Sequence, residues 1–310
     1  MSAVDERLVG RSVTVKVPAT TANLGPGFDT LGLALAVYDD LEISVPADGV
    51  LSIEVHGVGE GEVPLDDSHL VIRAMKHTFD HVGIAMPAVR LVAHNTIPHG
   101  RGLGSSGAAI VAGIVAARGL LEGIALFDAD QLLALATDLE GHPDNVAPAL
   151  FGGLTIAWTT PTGPQHKKLL VHRGVSPLVL VPEHVMSTAL ARSLQPESVP
   201  HEDAVFNVSR SALLIAALTQ SPELLLAATE DKLHQNYRAA AMPETDRLIQ
   251  LLRAAGHPAV VSGAGPSILV LCGDPSERLV AADLVAEQAT EPWQALPLAV
   301  DFLGATGTAV

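Results

Sequence analysis

The chain has 310 residues, 48% apolar and 17% charged, enough apolar mass for two domains and too much for a disordered chain. Its 34 acidic against 18 basic residues give a net charge of −16, which argues against a nucleic-acid binder and against attachment to anionic membranes. A single cysteine, Cys272, permits no intrachain disulfide and points to a reducing compartment.

The mean hydropathy of +0.34 calls for a test for membrane spans. The longest stretches without Asp, Glu, Lys or Arg, 145–166 and 254–273, are both broken by glycine and proline, so neither makes a spanning helix. Met1 to Arg11 carries Asp5 and Glu6 and no apolar run, so no signal peptide is expected. The expectation is a cytoplasmic protein.

Alternating apolar residues predict strands at Ser12–Val17, Leu31–Val37, Leu41–Val45 and Val50–Val55. Helical spacing of Leu70, Val71, Ala74, Met75, Thr78 and Phe79 predicts a helix over Asp67–Val82. A strand at Val89–Ala93 precedes a glycine-rich segment. Ser105–Leu121 reads as a buried helix of small residues, and Asp128–Glu140 as a helix with Asp128 as N-cap. Gly153–Trp158 reads as a strand, and Thr159–Gln165, with two prolines and a glycine, as the linker. Beyond it come strands at Lys168–His172 and Leu178–Pro182, then helices at Ser187–Leu194, Asp203–Leu218, Pro222–Leu233 and Pro243–Ala255. Two strands follow, Ala259–Ser262 and Ile268–Cys272, then a helix at Ser276–Ala289 and a strand at Gln294–Val300. The irregular alternation predicts an α+β chain of two domains, 1–160 and 161–310.

Three stretches carry chemistry. Pro98-His99-Gly100-Arg101-Gly102-Leu103-Gly104-Ser105-Ser106-Gly107 enters a helix. Its glycines let backbone approach a ligand, and the helix start offers free N–H groups and a positive dipole end. The two hydroxyls can bind phosphate or Mg²⁺, whereas a plain glycine turn capped by Ser105 is the competing reading. There is no Walker A lysine. Gly102, Gly104 and Gly107 do match a dinucleotide fingerprint, with Glu122 20 residues beyond Gly102. A dinucleotide fold would run straight out of a strand, however, and here Pro98 intervenes.

The second stretch is Pro18-Ala19-Thr20-Thr21-Ala22-Asn23-Leu24-Gly25-Pro26-Gly27-Phe28-Asp29, with Asn23 and Asp29 held in a turn-rich frame. The third is Glu140-Gly141-His142-Pro143-Asp144-Asn145, which offers metal or proton-transfer groups, or simply helix punctuation with Gly141 at C′ and Asp144 as N-cap.

Taken with Ser262-Gly263-Ala264-Gly265-Pro266-Ser267, the order of these motifs resembles the GHMP family of small-molecule kinases. The stretch ending G-P-G-F-D, and H-x-D-N-V-A-P at His142–Pro148, are similar to its branch acting on homoserine. The resemblance implies an N-terminal domain like ribosomal protein S5 domain 2 and a ferredoxin-like C-terminal domain, with the active site between them. It implies phosphorylation of L-homoserine by ATP with Mg²⁺, on the route to threonine. Pro98 to Ala108 would wrap the triphosphate, with Ser106 and Glu140 as metal ligands. Asn23, Asp29, His142 and Asn145 match positions that hold homoserine, and Thr188, Arg192 and Arg238 positions at its polar end. Two guanidiniums suit a carboxylate.

Asn145 stands where other members of that family carry an aspartate. The reading here is that Asn145 and Asp29 orient the hydroxyl and its proton leaves through the phosphate; a base role for Asp144 or His142 is the alternative. Arg101 either meets a phosphate or faces solvent. The apolar excess permits a homodimer.

Overall fold

The structure, a computed structural model, describes residues 6–309; the expectation for Met1–Arg11 therefore lies partly outside the described residues. Strand β1 (Ser12–Ala22) pairs antiparallel with the long β2 (Leu31–Ser44). Then come β3 (Ser52–Gly57), α1 (Leu70–His81) and β4 (Arg90–Asn95), followed by α2 (Ser105–Leu120), α3 (Ala129–Glu140) and α4 (Pro143–Phe151). The hairpin β5 (Leu154–Thr160) and β6 (Gly163–Leu169) extends the same sheet from β2. Only β3 and β4, among the described strands, pair in parallel.

Several boundaries differ from expectation for definite reasons. β2 is one strand where two were expected, because Asp39 is accommodated within it. Asp39 is buried, and its Oδ1 accepts from the N–H groups of Thr96 (2.7 Å) and Ile97 (3.0 Å). β1 continues past Pro18 through a shift of register between Pro18 and Ala19. Thr159–Gln165 is the tip of the β5–β6 hairpin, not a linker, and the expected strand Lys168–His172 is β6 displaced toward the N-terminus. Asp128 caps α3 as expected, in a reciprocal box with Gln131.

The second sheet has the order β10-β7-β9-β8, built from β7 (Ser176–Pro182), β8 (Ala259–Val261), β9 (Ile268–Cys272) and β10 (Trp293–Pro297). Its helices are α5 (Thr188–Ser193), α6 (His201–Thr219), α7 (Leu225–Ala228), α8 (Gln235–Arg238), α9 (Pro243–Ala254) and α10 (Glu277–Gln288). The helix expected over Pro222–Leu233 breaks after a short 3-10 turn and α7. β7 and β9 are buried along their whole length, which is why their sequences run apolar without alternation. Val179, Val181, Leu269 and Leu271 face the large core shared with α6, while Leu178, Leu180, Val270 and Cys272 face α9 and α10.

The last strand, β11 (Thr306–Ala309), returns to pair with β1, so the first sheet draws on chain from both ends. Helix α2 runs through the centre of the first core, buried from Gly107 to Ala117 except at Ala109. Its small residues permit this: a Cβ at Gly113 would lie 2.4 Å from the Val71 carbonyl of α1. No described helix is long and apolar enough to cross a membrane.

Candidate functional site

The glycine-rich loop arrives at α2 between the two sheets. Gly100, Gly102 and Gly104 have φ of 63°, 73° and 69°, values that a side chain resists. A Cβ at Gly102 would lie 2.0 Å from Ser262 O, and one at Gly104 2.0 Å from Thr20 Oγ1. The loop is pinned on both sides: Thr20 N donates to Leu103 O (3.0 Å), and Ser262 Oγ to Gly102 O (2.6 Å). No side chain caps the start of α2. Its first N–H groups and positive dipole end therefore serve the cleft, an arrangement suited to an anion.

The eleven expected loop residues do not all face one place. Gly100, Gly102, Gly104, Ser105 and Ser106 line a cleft of about 780 Å³. Leu103, Gly107 and Ala108 are buried beneath it. His99 and the two serines border a second hollow. Pro98 and Arg101 line a groove against Val181 and Pro182. Arg101 neither reaches the cleft nor stands free in solvent. Its Nε donates to Pro182 O (2.9 Å), Nη1 to His99 O (3.1 Å) and Nη2 to Glu183 O, fastening the loop to the end of β7.

The same cleft gathers Asn23, Asp29, Glu140, His142, Asn145, Thr188, Arg192 and Arg238, from four separate parts of the chain. Asn23 and Asp29 sit in the turn between β1 and β2 with φ of 72° and 51°, both in the left-handed region. Asn23 is engaged at both polar atoms: Nδ2 donates to Gly263 O (2.8 Å) and Oδ1 accepts from Asp29 N (3.0 Å). Opposite them, α5 starts at Thr188 under a Ser187 cap and ends near Arg192. Arg192 meets the Asp29 carboxylate with both terminal nitrogens. Arg238, buried on α8, lies 5.2 Å from the Phe28 ring centre and donates to Gly263 O at 3.4 Å.

Glu140 ends α3, and Ser106 Oγ donates to its Oε2 at 3.1 Å. Burial raises the Glu140 carboxyl above its ordinary value, against the pull of the nearby His142. A hydroxyl beside a carboxylate deprived of water is a hard-oxygen pair suited to a small divalent cation that keeps its other positions for phosphates and water. His142, not Asp144, is the N-cap residue of α4, with Pro143 and Asp144 in the first turn. Asp144 is buried and hydrogen-bonded to His142 Nδ1, which raises the imidazole's pKa despite partial burial. Asn145 Oδ1 accepts from Thr20 Oγ1 at 3.0 Å.

Sequence reasoning missed three roles. Gly263, Ala264 and Gly265 line the cleft, and the motif containing them was visible without its role. Asp144 is the inner partner of His142, a role that depends on burial. The hollow beside Ser105 and Ser106, about 850 Å³, is lined by Val17, Leu41, Leu70, Val71, Ala109 and Ala112. It also holds His69, whose buried Nδ1 has no hydrogen-bond partner and whose pKa burial lowers. No short motif marks that hollow.

The family model described as GHMP kinases N terminal domain matches residues 69–153, and that for GHMP kinases C terminal matches 212–295. A homoserine kinase of Leifsonia xyli subsp. xyli is 74% identical over 96% of this chain and 93% of its own length. One of Clavibacter michiganensis subsp. michiganensis is 71% identical over 96% of this chain and 94% of its own. The crystal structure of homoserine kinase from Cytophaga hutchinsonii superposes with a TM-score of 0.83, covering 99% of each chain at 23% identity, a likeness of fold.

Proposed function

This chain belongs to the homoserine kinases of the GHMP kinase family, and we propose that its cleft seats ATP along the start of α2 and L-homoserine between Asp29, Arg192 and Arg238. It is an ATP:L-homoserine O-phosphotransferase, making O-phospho-L-homoserine and ADP. The observation that carries the site assignment is the meeting, in one cleft, of an uncapped helix start and a carboxylate–arginine set of both signs. The first suits a triphosphate, the second a zwitterionic amino acid.

The loop from Pro98 to Ala108 holds the triphosphate, with N–H groups at its glycines and the two serines as donors. The apolar hollow beside Ser105 takes the base, and the unpartnered Nδ1 of His69 is its polar handle. Ser106 and Glu140 hold Mg²⁺, which when bound neutralises charge on the phosphates. Asp29, expected from the sequence to orient the hydroxyl, is given the ammonium of homoserine instead because its carboxylate faces Arg192; Arg192 and Arg238 take the carboxylate, with Thr188 and Asn23 bounding the pocket. Asn145 and His142 stand on the side of the helix start, where the acceptor hydroxyl must point. Asn145 orients that hydroxyl, and its proton passes to the phosphoryl oxygens, so positioning rather than a strong base provides the rate.

The test is ADP release with MgATP against L-homoserine, mevalonate, shikimate and galactose. Turnover confined to homoserine supports the reading. Preference for a carboxylate lacking the ammonium would remove Asp29 from its role.

A further inference from the structure

His234 is a fully buried histidine outside the cleft that the transfer itself does not use. It precedes α8, four residues before Arg238. Its Nε2 donates to the Gly25 carbonyl at 2.8 Å, and because a carbonyl can only accept, Nε2 carries the proton. Its ring stacks on Phe28, with centroids 4.9 Å apart and planes inclined by 16°. The same Phe28 ring lies 5.2 Å from the Arg238 guanidinium. One imidazole thus touches both ends of the Gly25–Phe28 turn, and the next residue is Asp29.

The turn needs such a hold. Asn23, Leu24 and Asp29, none of them glycine, all have positive φ, so this segment is costly backbone that its surroundings must sustain. Asn207 Nδ2 (2.9 Å) and Ser211 Oγ (2.5 Å) donate to Pro26 O, but both act on the middle of the turn. His234 alone among these three side chains also contacts the ring beneath Arg238. Its own place is set by Asp231, whose carboxylate accepts from the N–H groups of Leu233, His234 and Gln235 at 2.9–3.1 Å.

We infer that His234 is a positioning residue for the amino-acid acceptor, holding the Asp29 turn and the Arg238 guanidinium in mutual register through Gly25 O and the Phe28 ring. The inference rests on the reading of Asp29 and Arg238 as the acceptor's partners. His234 touches no substrate, and the nucleotide side of the cleft lies beyond its contacts. Its loss therefore weakens homoserine binding selectively.

The experiment is steady-state kinetics of the full chain and of His234→Ala, His234→Gln and His234→Phe, with melting temperatures alongside. Turnover of homoserine by the unmodified chain tests the acceptor reading by itself. Given that turnover, His234→Ala is expected to raise the KM for homoserine about tenfold, with the KM for ATP within twofold. His234→Gln keeps a donor near Gly25 O without the ring, and His234→Phe keeps the ring without the donor. Each is expected to fall between the unmodified chain and His234→Ala. If the alanine variant does not fold, the other two decide by the same split. An unchanged homoserine KM, or an equal rise for both substrates, overturns the inference, because a merely structural histidine would move neither KM or both together.

Discussion

Arg192 and Asp29, 163 residues apart in sequence, form a two-pronged ion pair across the cleft, Nη2 to Oδ1 at 3.0 Å and Nη1 to Oδ2 at 3.3 Å. Each side chain remains about 40% exposed (41% and 39%), so solvent screens the pair and its worth to the fold is at most about 1 kcal/mol. Its geometry is that of a zwitterion's two partners. An incoming amino acid can put its carboxylate on Arg192 and its ammonium on Asp29, replacing the pair without stranding either charge.

Arg192→Ala should therefore raise the KM for homoserine roughly 10- to 100-fold, the loss of one charged hydrogen-bonding partner. The melting temperature should change little. A large fall in melting temperature with an unchanged homoserine KM would make the pair a structural tie, contrary to this prediction.

Gly104→Ala tests the loop. At φ 69° an added Cβ is strained, and it would meet Thr20 Oγ1 at 2.0 Å, on the strand whose Thr20 N–H holds the loop. Displacement of the α2 start should cost at least about 100-fold in kcat/KM for ATP, because misplacement on the order of 1 Å is enough for such a loss. Retention of activity within threefold would show that the loop tolerates the shift.

Glu140 gives a pH prediction. Burial raises its pKa, so at neutral pH its charge opposes folding, and this cost is relieved as pH falls through the raised value. On the proposed assignment of Glu140 to the metal, binding needs its carboxylate, so the apparent affinity for Mg²⁺ should begin to fall at a higher pH than an ordinary glutamate would produce. Glu140→Gln should match or exceed the parent in melting temperature at neutral pH while losing most Mg²⁺-dependent turnover. A destabilised Glu140→Gln with normal magnesium dependence contradicts both halves.

His142 behaves in the opposite sense. The hydrogen bond that its Nδ1–H donates to the Asp144 carboxylate raises its pKa above 6.5, so its contribution to stability is complete below that value and is lost as pH rises through the folded one. Asp144→Asn should lower the His142 pKa, read directly from the imidazole's NMR titration. An unmoved titration would mean that another group sets it.

Much of the site was legible because loops of this kind are local. The glycines at 100, 102 and 104 announce backbone that must bend past a neighbour, whichever neighbour it proves to be. The strand pattern of β1 and the helical spacing of α1 likewise follow from one buried face each. Asp39 shows where such reasoning stops: the apolar pattern breaks over 38–40, yet two backbone N–H groups make Asp39 acceptable inside β2. β11 was equally silent, since Thr306–Ala309 is short and half polar and is a strand only because β1 offers it an edge.

The sequence by itself pointed to a helix start suited to an anion and to a turn-rich frame holding Asn23 and Asp29, because each depends on residues close together in the chain, while Arg192 and Arg238 followed from the order of motifs along the whole chain. Only the tertiary structure decided that these face one another, that Arg101 fastens the loop to β7, and that Asp144 and His234 work behind the residues they support. Those relations join residues from about eighty to just over two hundred positions apart, or depend on what burial does to a charge. Neither distance across the fold nor exclusion of water is written in local spacing.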